Sequence, residues 1–447
     1  MKTLRAGAAR AVVTPPVGYT MGAWGLRQGR STGVHQNLYA RALALDDGEK
    51  QLAIVAIDVA GFSQEVVKLI RDRVGRLTDI PSDHLLISST HNHTTPDLIS
   101  GIPPELGVYA AIFAENVAGA VAEAFNRREP ARIGVGAGQL PGWTINRQYP
   151  RRAVDTSLGV MRIDSNAGRP IARVVNFACH GVCDGGQYLD WSGDFPGAMS
   201  ATLEDWYPSS ICIYLQGAAG DIHPFDWWFG NWKSKHLHTH EDTESFGRAI
   251  AAEAARVSEA ISLHRSAALG AASTVTALPR RQVPWTVAQA EANNRKLKAT
   301  LGSYHGDIWP KGTTTAIAAM MEPSLYGAGA NELRLAQNKV KPAVRADVRA
   351  FRIGDLVISG SPGEMFNELG QDIKKSAGPH VWVASYCDNY IGYVSTRETY
   401  GHIEAVPLDE IVDQAKYRRY YGTTTSPFAP EAGDQLVEAS AKLARKV

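Results

Sequence analysis

Short apolar runs alternate with amphipathic ones along most of the chain. Leu85-Leu86-Ile87 is too short for a helix and reads as a buried strand. Leu38–Leu45 and Gln51–Ala60 read the same way, joined by a hairpin turn at Asp47-Gly48. Glu65–Leu77 has helical amphipathicity. Val108–Phe125 carries Phe113, Val117, Val121 and Phe125 on one helical face. Further strands are predicted near Ala131–Ala137 and at Gly159–Ile163, Ile171–Ala178 and Ile211–Leu215. A helix is predicted over Thr243–Ala260. Val344–Arg352 and Leu356–Ser359 form a hairpin across Gly354-Asp355. A helix over Met365–Ser376, a strand at Val381–Tyr386 and a closing helix over Asp434–Lys446 complete the pattern. Residues 9–37 read as largely glycine-rich loop, and about 275–340 as a mostly helical excursion over the core. No repeat or low-complexity linker divides the chain, so one domain, 1–447, is expected. Its class is α/β, with mixed β-sheets flanked by helices.

The polar residues that follow these runs form a pattern of their own. Leu85–Ile87 leads into His91-Asn92-His93, and Pro96 stops the strand. In extended backbone, two histidines one residue apart face the same way. Ile171–Ala178 leads into His180, and Ile211–Leu215 into Asp221 and His223. Leu356–Ser359 leads into Gly363-Glu364, and Val381–Tyr386 into Asp388, Tyr390 and Tyr393. Open α/β sheets bind ligands beyond the carboxyl ends of their strands. Convergence of these ends would build one polar pocket. Two histidines, a glutamate and a water describe a catalytic zinc site, where the ion acidifies the water and polarises a carbonyl.

Composition narrows the field. The chain has 447 residues, 44% apolar and 20% charged, enough for a sizeable core. A net charge of +1 with scattered Lys and Arg gives no electrostatic case for nucleic acid or an anionic membrane. No apolar run approaches the ~18 residues of a membrane span. The N-terminus lacks the apolar stretch of a signal peptide, so a cytoplasmic location is expected. Cys179, Cys183, Cys212 and Cys387 are then reduced thiols, with Cys179 and Cys183 packing beside His180. Trp227, Trp228 and Trp232 read equally as a lid or as a packed loop. His236, His238 and His240 read as a solvated loop rather than a second metal site. Asp194 is either a partner to a histidine or a helix cap, and Asp221 orients neighbours rather than binding metal.

Several short motifs, in common order, give a resemblance. They are Ala6-Gly-Ala-Ala-Arg-Ala-Val-Val-Thr-Pro15, Leu38-Tyr-Ala-Arg41, Thr90-His-Asn-His-Thr-Thr-Pro96, Asn146-Arg147 and Asn176-Phe-Ala-Cys-His180. Ser192-Gly-Asp-Phe-Pro-Gly197, Gln216-Gly-Ala-Ala-Gly-Asp221, Pro362-Gly-Glu364 and Tyr393-Val-Ser-Thr396 follow. Together they resemble the catalytic domain of the neutral/alkaline non-lysosomal ceramidases, which hydrolyse the amide bond of N-acyl sphingoid bases. The resemblance implies a neutral-ceramidase-like fold without the family's C-terminal β-sandwich domain. It implies one Zn²⁺ held by His91, His180, Glu364 and Tyr393, with His93 and Arg147 stabilising an oxyanion. By motif position it also ranks Tyr390 as more structural than Tyr393. At Gly220-Asp-Ile-His-Pro224, however, His223 stands where the family carries a serine. An imidazole there could accept and return a proton, or add a ligand.

The expectation is therefore a zinc-dependent hydrolase that cleaves an N-acyl amide bond by attack of a metal-bound water. Hydrolysis of an ester, lactone or glycosidic bond in a small polar metabolite, a two-metal variant, and an inactive metal-stabilised binding protein stay open. The expected partner is a small-molecule or N-acyl substrate, with homo-oligomerisation left open.

Overall fold

Two large β-sheets stacked face to face, with helices on both outer sides, form the centre of the computed structural model, and small two-stranded ladders join its loops. It describes residues 3–23, 29–99, 101–224, 238–283, 286–292, 295, 335–337, 341–402 and 420–447. The strands are β1 (Arg5–Val12), β2 (Tyr39–Asp46), β3 (Gln51–Ile57), β4 (Leu85–Ser89), β5 (Glu129–Gln139) and β6 (Thr144–Asn146). Then come β7 (Ser157–Ser165), β8 (Pro170–Phe177), β9 (Ile211–Gln216) and β10 (Ile222–Pro224). The last are β11 (Leu269–Pro279), β12 (Ala343–Ile353), β13 (Leu356–Gly360), β14 (Glu364–Met365), β15 (Val381–Ala384) and β16 (Tyr393–Val394). The first sheet runs β9-β8-β7-β5-β1-β2-β3-β4, and the second β11-β12-β13-β15. Three neighbouring pairs in these sheets are parallel: β3 with β4, β8 with β9, and β13 with β15.

Strands buried on both faces explain the continuous apolar runs. Leu43, Leu45, Ile54, Leu86, Ile213 and Leu215 meet Phe351, Ile358 and Trp382 of the second sheet. On the other face, Ala42, Val55 and Ile57 lie under α1 (Gln64–Leu77) and α2 (Gly107–Asn126). Ser63 caps α1 by accepting from the Val66 N–H at 3.3 Å. The other half of that face, with Val160, Phe177 and Tyr214, packs on α3 (Asp194–Trp206) and α4 (His240–Ala260). Thr239 and Asp242 close a capping box at the start of α4. The second sheet is covered outside by α5 (Asn367–Ala377) and α6 (Ala432–Lys446).

Two expectations need correction. The excursion does not begin at 275, because Val275–Pro279 completes β11. Its alternation of small and polar residues suits a half-exposed strand, and Pro279 pairs with Ala343. Most of the remaining excursion lies outside the described residues, and 287–292 is helical. Likewise β1 was not expected in an Arg-Ala-Gly-Ala-Ala-Arg run. Small side chains are required there because α2 lies against it: a Cβ on Gly7 would stand 2.2 Å from the Ala124 carbonyl oxygen. Helix α3, anticipated only in the alternative reading of Asp194 as a helix cap, has no clear apolar pattern at its Pro196-Gly197 start. The segment Pro104–Asn126 is long and apolar enough to cross a membrane by composition. Here α2 serves as a core helix, with Phe113, Val117 and Val121 fully buried against the first sheet.

Candidate active site

The carboxyl ends of β4, β8, β9, β13 and β15 meet on one side of the molecule. A single buried side chain joins three of them. Gln216 Nε2 donates to the carbonyls of Thr90 (3.1 Å) and Cys179 (2.6 Å), while its Oε1 accepts from the Cys179 N–H at 3.2 Å. Beyond β4 the backbone leaves the extended conformation, and His91 sits at φ +58°. Strict side-chain alternation therefore does not bring His91 and His93 together. A left-handed turn does, held by the His91 N–H donating to Val59 O at 3.0 Å. Such a conformation costs a non-glycine residue roughly 1–2 kcal/mol. Asp194, Tyr386 and Asp388 share it nearby, as strained residues tend to cluster at functional sites.

Four donor atoms converge. His91 Nε2 lies 3.0 Å from His180 Nε2 and 3.2 Å from His93 Nε2. Glu364 Oε2 lies 3.2 Å from His91 Nε2 and 3.5 Å from His180 Nε2. Two backbone carbonyls settle the tautomers. His91 Nδ1 faces Ala60 O at 2.6 Å, and His180 Nδ1 faces Ala219 O at 3.0 Å. A carbonyl oxygen only accepts, so both Nδ1 atoms carry the proton and both Nε2 atoms present lone pairs. Burial, with His91 and Arg147 adding to it, pushes His180 well below the usual histidine range and keeps it neutral. Glu364 Oε2 is buried without a hydrogen-bond donor. Lone pairs and a carboxylate oxygen this close repel unless a cation lies among them. A tetrahedral ion with ligands at about 2.0–2.1 Å needs ligand–ligand separations of about 3.3–3.4 Å. The observed 3.0–3.5 Å spans that value, so the donor set fits a metal ion. His91, His93 and His180 alone form a group able to hold one.

Glu364 reaches this cluster because Gly363, at φ +76°, turns the chain after β13. Its N–H then donates to Gly392 O at 3.0 Å, and β14 pairs with β16 so that Glu364 stands beside Tyr393. The phenol that touches Glu364 belongs to Tyr390, whose hydroxyl donates to Oε1. Burial, then Glu364, push the Tyr390 pKa well up, which keeps it a donor. Tyr390, ranked as the more structural of the two tyrosines, thus holds the carboxylate in place by a hydrogen bond. Tyr393 faces Arg147 instead, with the guanidinium carbon 5.3 Å from its ring centroid. Tyr386, unmarked by any motif, stacks on His91 with centroids 3.9 Å apart. Its only sequence signal was position, at the end of a predicted strand.

Arg147 and His223 form the second half of the site. Strands β6 and β10 pair Asn146 with Ile222 and Ile145 with His223. The Arg147 N–H donates to Asp221 O at 2.8 Å. Its guanidinium is buried, with Nη2 donating to Gly220 O at 2.6 Å and Nη1 3.0 Å from His223 Nε2. Burial works against the Arg147 charge, but Tyr393 and Glu364 outweigh it and its pKa ends above the ordinary value. Burial and Arg147 hold His223 well below the usual histidine range. The His223 ring lies 5.6 Å from that of His180. Asp221 orients, as expected: Oδ1 accepts from Asn367 N–H at 2.7 Å and Oδ2 from Asn146 Nδ2 at 2.6 Å. Burial raises its pKa to about 6 despite those donors.

Other candidates sit outside this centre. Trp227, Trp228, Trp232 and His236 lie outside the described residues. His238 faces Val182 O through Nδ1 at 2.7 Å, and His240 faces Asp184 through Nδ1 at 2.8 Å. Asp194 is the first residue of α3 rather than its cap, which is Gly193. Its carboxylate accepts from the N–H groups of Phe195, Asp184 and Cys183 and so ties the loop after His180 to the helix. All four cysteines are buried free thiols.

Residues 5–225 match the family model for neutral/alkaline non-lysosomal ceramidase, N-terminal. The chain is ceramidase-like. That match gives its N-terminal part the sequence pattern of a ceramidase-type hydrolase. No curated protein matches the sequence. Among solved structures, the neutral ceramidase from Pseudomonas aeruginosa superposes with a TM-score of 0.74 at 18% identity. It is covered over 74% of its length by 100% of this chain. A ceramidase complexed with C2 superposes with a TM-score of 0.72 at 17% identity, over 100% of this chain and 75% of that one. At such identities the likeness is one of fold, and it extends the ceramidase architecture over both sheets.

Proposed function

We propose that this protein is a zinc-dependent hydrolase of N-acyl amide bonds. The observation that carries the reading is the buried convergence of two tautomer-fixed Nε2 lone pairs with an unpartnered Glu364 oxygen. His91, His180 and Glu364 would hold the ion. His93, with Nε2 3.2 Å from that of His91, supplies a further ligand or turns to the substrate. Tyr393, beside Glu364 in the β14–β16 pair, completes the set implied by the family motifs. A bound Zn²⁺ would polarise the scissile carbonyl and acidify water.

The chain's own residues do the rest. Arg147 is a buried, permanently charged donor pinned through its backbone and side chain, suited to a carbonyl oxygen that gains negative charge. Tyr390 keeps Glu364 oriented, and the carbonyls of Ala60 and Ala219 keep both imidazoles oriented. Glycoside cleavage by the usual pair of carboxyl groups is disfavoured, because Asp221 has both oxygens engaged and Glu364 belongs to the metal cluster.

The test is hydrolysis of N-acyl amides from acetyl to long fatty acyl, with released amine measured before and after chelation. Chelator-sensitive turnover restored by zinc supports the reading, and chain-length preference reports whether the substrate is a lipid. Stoichiometric zinc with no amide cleaved would overturn it and redirect the search to esters and lactones.

A further inference from the structure

His223 occupies a position where a proton acceptor would be convenient, but the geometry gives it a different task. A guanidinium has only donors. Arg147 Nη1, 3.0 Å from His223 Nε2, must therefore donate to it. That single lone pair is then occupied, and the ring is the neutral tautomer with its proton on Nδ1. Protonating Nε2 would put a second cation 3.0 Å from the guanidinium, with both side chains buried.

The surroundings show what the bond achieves. Arg147 Nη2 is fixed by Gly220 O at 2.6 Å, and its backbone by Asp221 O at 2.8 Å. The Nη2 contact holds one edge of the guanidinium, and the Tyr393 side chain and His223 Nε2 hold it from further directions. The flat cation is left with its carbon 5.3 Å and 5.8 Å from the Tyr393 and Tyr421 ring centroids. Imidazole has the reach for this contact. A serine in its place would present its hydroxyl far nearer the backbone.

We propose that His223 is a positioning residue, a neutral acceptor that orients Arg147 toward the reacting carbonyl, and that the proton transfers of the reaction are handled by other groups. This rests on the reading of Arg147 as the group facing that carbonyl.

The decisive variant is His223→Gln, whose amide oxygen can accept from Arg147 near the Nε2 position but cannot take up a proton. Expected behaviour is a kcat within about fivefold of wild type, the scale of one adjusted hydrogen bond. His223→Ala loses more, and adding His223→Ala to Arg147→Ala causes no further loss. A proton acceptor would instead cost roughly 10²–10⁴-fold in His223→Gln, and that result overturns the proposal. A second measurement needs neither substrate nor turnover. In zinc-loaded protein with ¹⁵N-labelled histidine, the His223 signals, assigned by their loss in His223→Gln, should show Nδ1–H and an unprotonated Nε2 at neutral pH. An Nε2–H tautomer or an imidazolium would refute the proposal. If no amide proves to be a substrate, the spectrum still decides the role of His223, and only the amidase reading falls.

Discussion

Asp388→Asn tests how the second sheet holds its part of the site. Asp388 sits at φ +56°, with its N–H donating to Ile87 O at 2.7 Å, so it ties the end of β15 to β4. Its carboxylate accepts from Arg71 on one oxygen and from Arg349 on the other. The three side chains are 4%, 13% and 12% exposed, so solvent screens them little. Asparagine keeps the shape and tolerates the left-handed backbone, so the variant isolates the charge. Two guanidiniums then face each other without the anion between them, which costs about 3–5 kcal/mol for a pair broken from one side. Asp347 remains as an anion acting on Arg71. With an unfolding entropy of about 2.1 cal/mol/K per residue over 447 residues, 4 kcal/mol lowers Tm by about 4 °C. Calorimetry on the zinc-loaded protein measures this directly. The loop also carries Tyr386 and Tyr390, so a zinc competition titration should show weaker binding in the variant. Replacing Arg71 and Arg349 by Met in the Asp388→Asn background should recover much of the Tm, since the facing cations are then gone while the left-handed backbone keeps a residue that tolerates it. A variant that melts within 1 °C of wild type and binds zinc equally well would refute the clamp.

Further outcomes follow from other contacts. Tyr390→Phe strips Glu364 Oε1 of its donor and should weaken zinc binding by about 10–100-fold, as loss of an outer partner does, read by the same titration. Asp221 has a folded pKa of about 6, above the unfolded value of about 3.9. The folded state thus binds that proton more tightly, and stability falls as pH rises from about 4 to about 6, by about 3 kcal/mol. Asp221→Asn should flatten the Tm–pH curve across that window; an unchanged slope would remove Asp221 as its source. Gly159→Ala puts a Cβ 2.4 Å from the Trp382 indole and should cost about 1–3 kcal/mol by overpacking while leaving zinc stoichiometry intact, as urea denaturation and metal analysis would show.

Apolar runs located most strands and helices to within a few residues, because strands buried on both faces write themselves as unbroken hydrophobic stretches. The same logic failed for β1, whose alanines and glycine answer to the closeness of α2, and for β11, whose polar alternation reads as loop. Placement of side chains at strand ends made His91, His180 and Glu364 legible, since topology brings those ends together. Gln216, Tyr386 and Tyr390 were not legible as contacts. Their roles arise from hydrogen bonds and stacking between segments far apart in sequence, which no local pattern encodes. The relation of His223 to Arg147 was hidden for the same reason: it depends on the antiparallel register of two three-residue strands.

The separation of the donors along the chain sets the order in which the centre can assemble during synthesis. His91 and His180 belong to the first sheet and leave the ribosome early. Glu364 follows 184 residues after His180 (364 − 180), with the strands of the second sheet. Until then an incoming ion meets only imidazoles, without the carboxylate that Tyr390 orients. Capture of an ion by these donors would thus be a late event, and it would close a chain segment of 273 residues between His91 and Glu364 (364 − 91). Closing a loop of that length carries an entropy cost of about 5 kcal/mol in the unfolded chain. Folding of the two sheets has already met that cost when the ion arrives, so a nascent chain halted before Glu364 should hold zinc weakly and the completed one tightly.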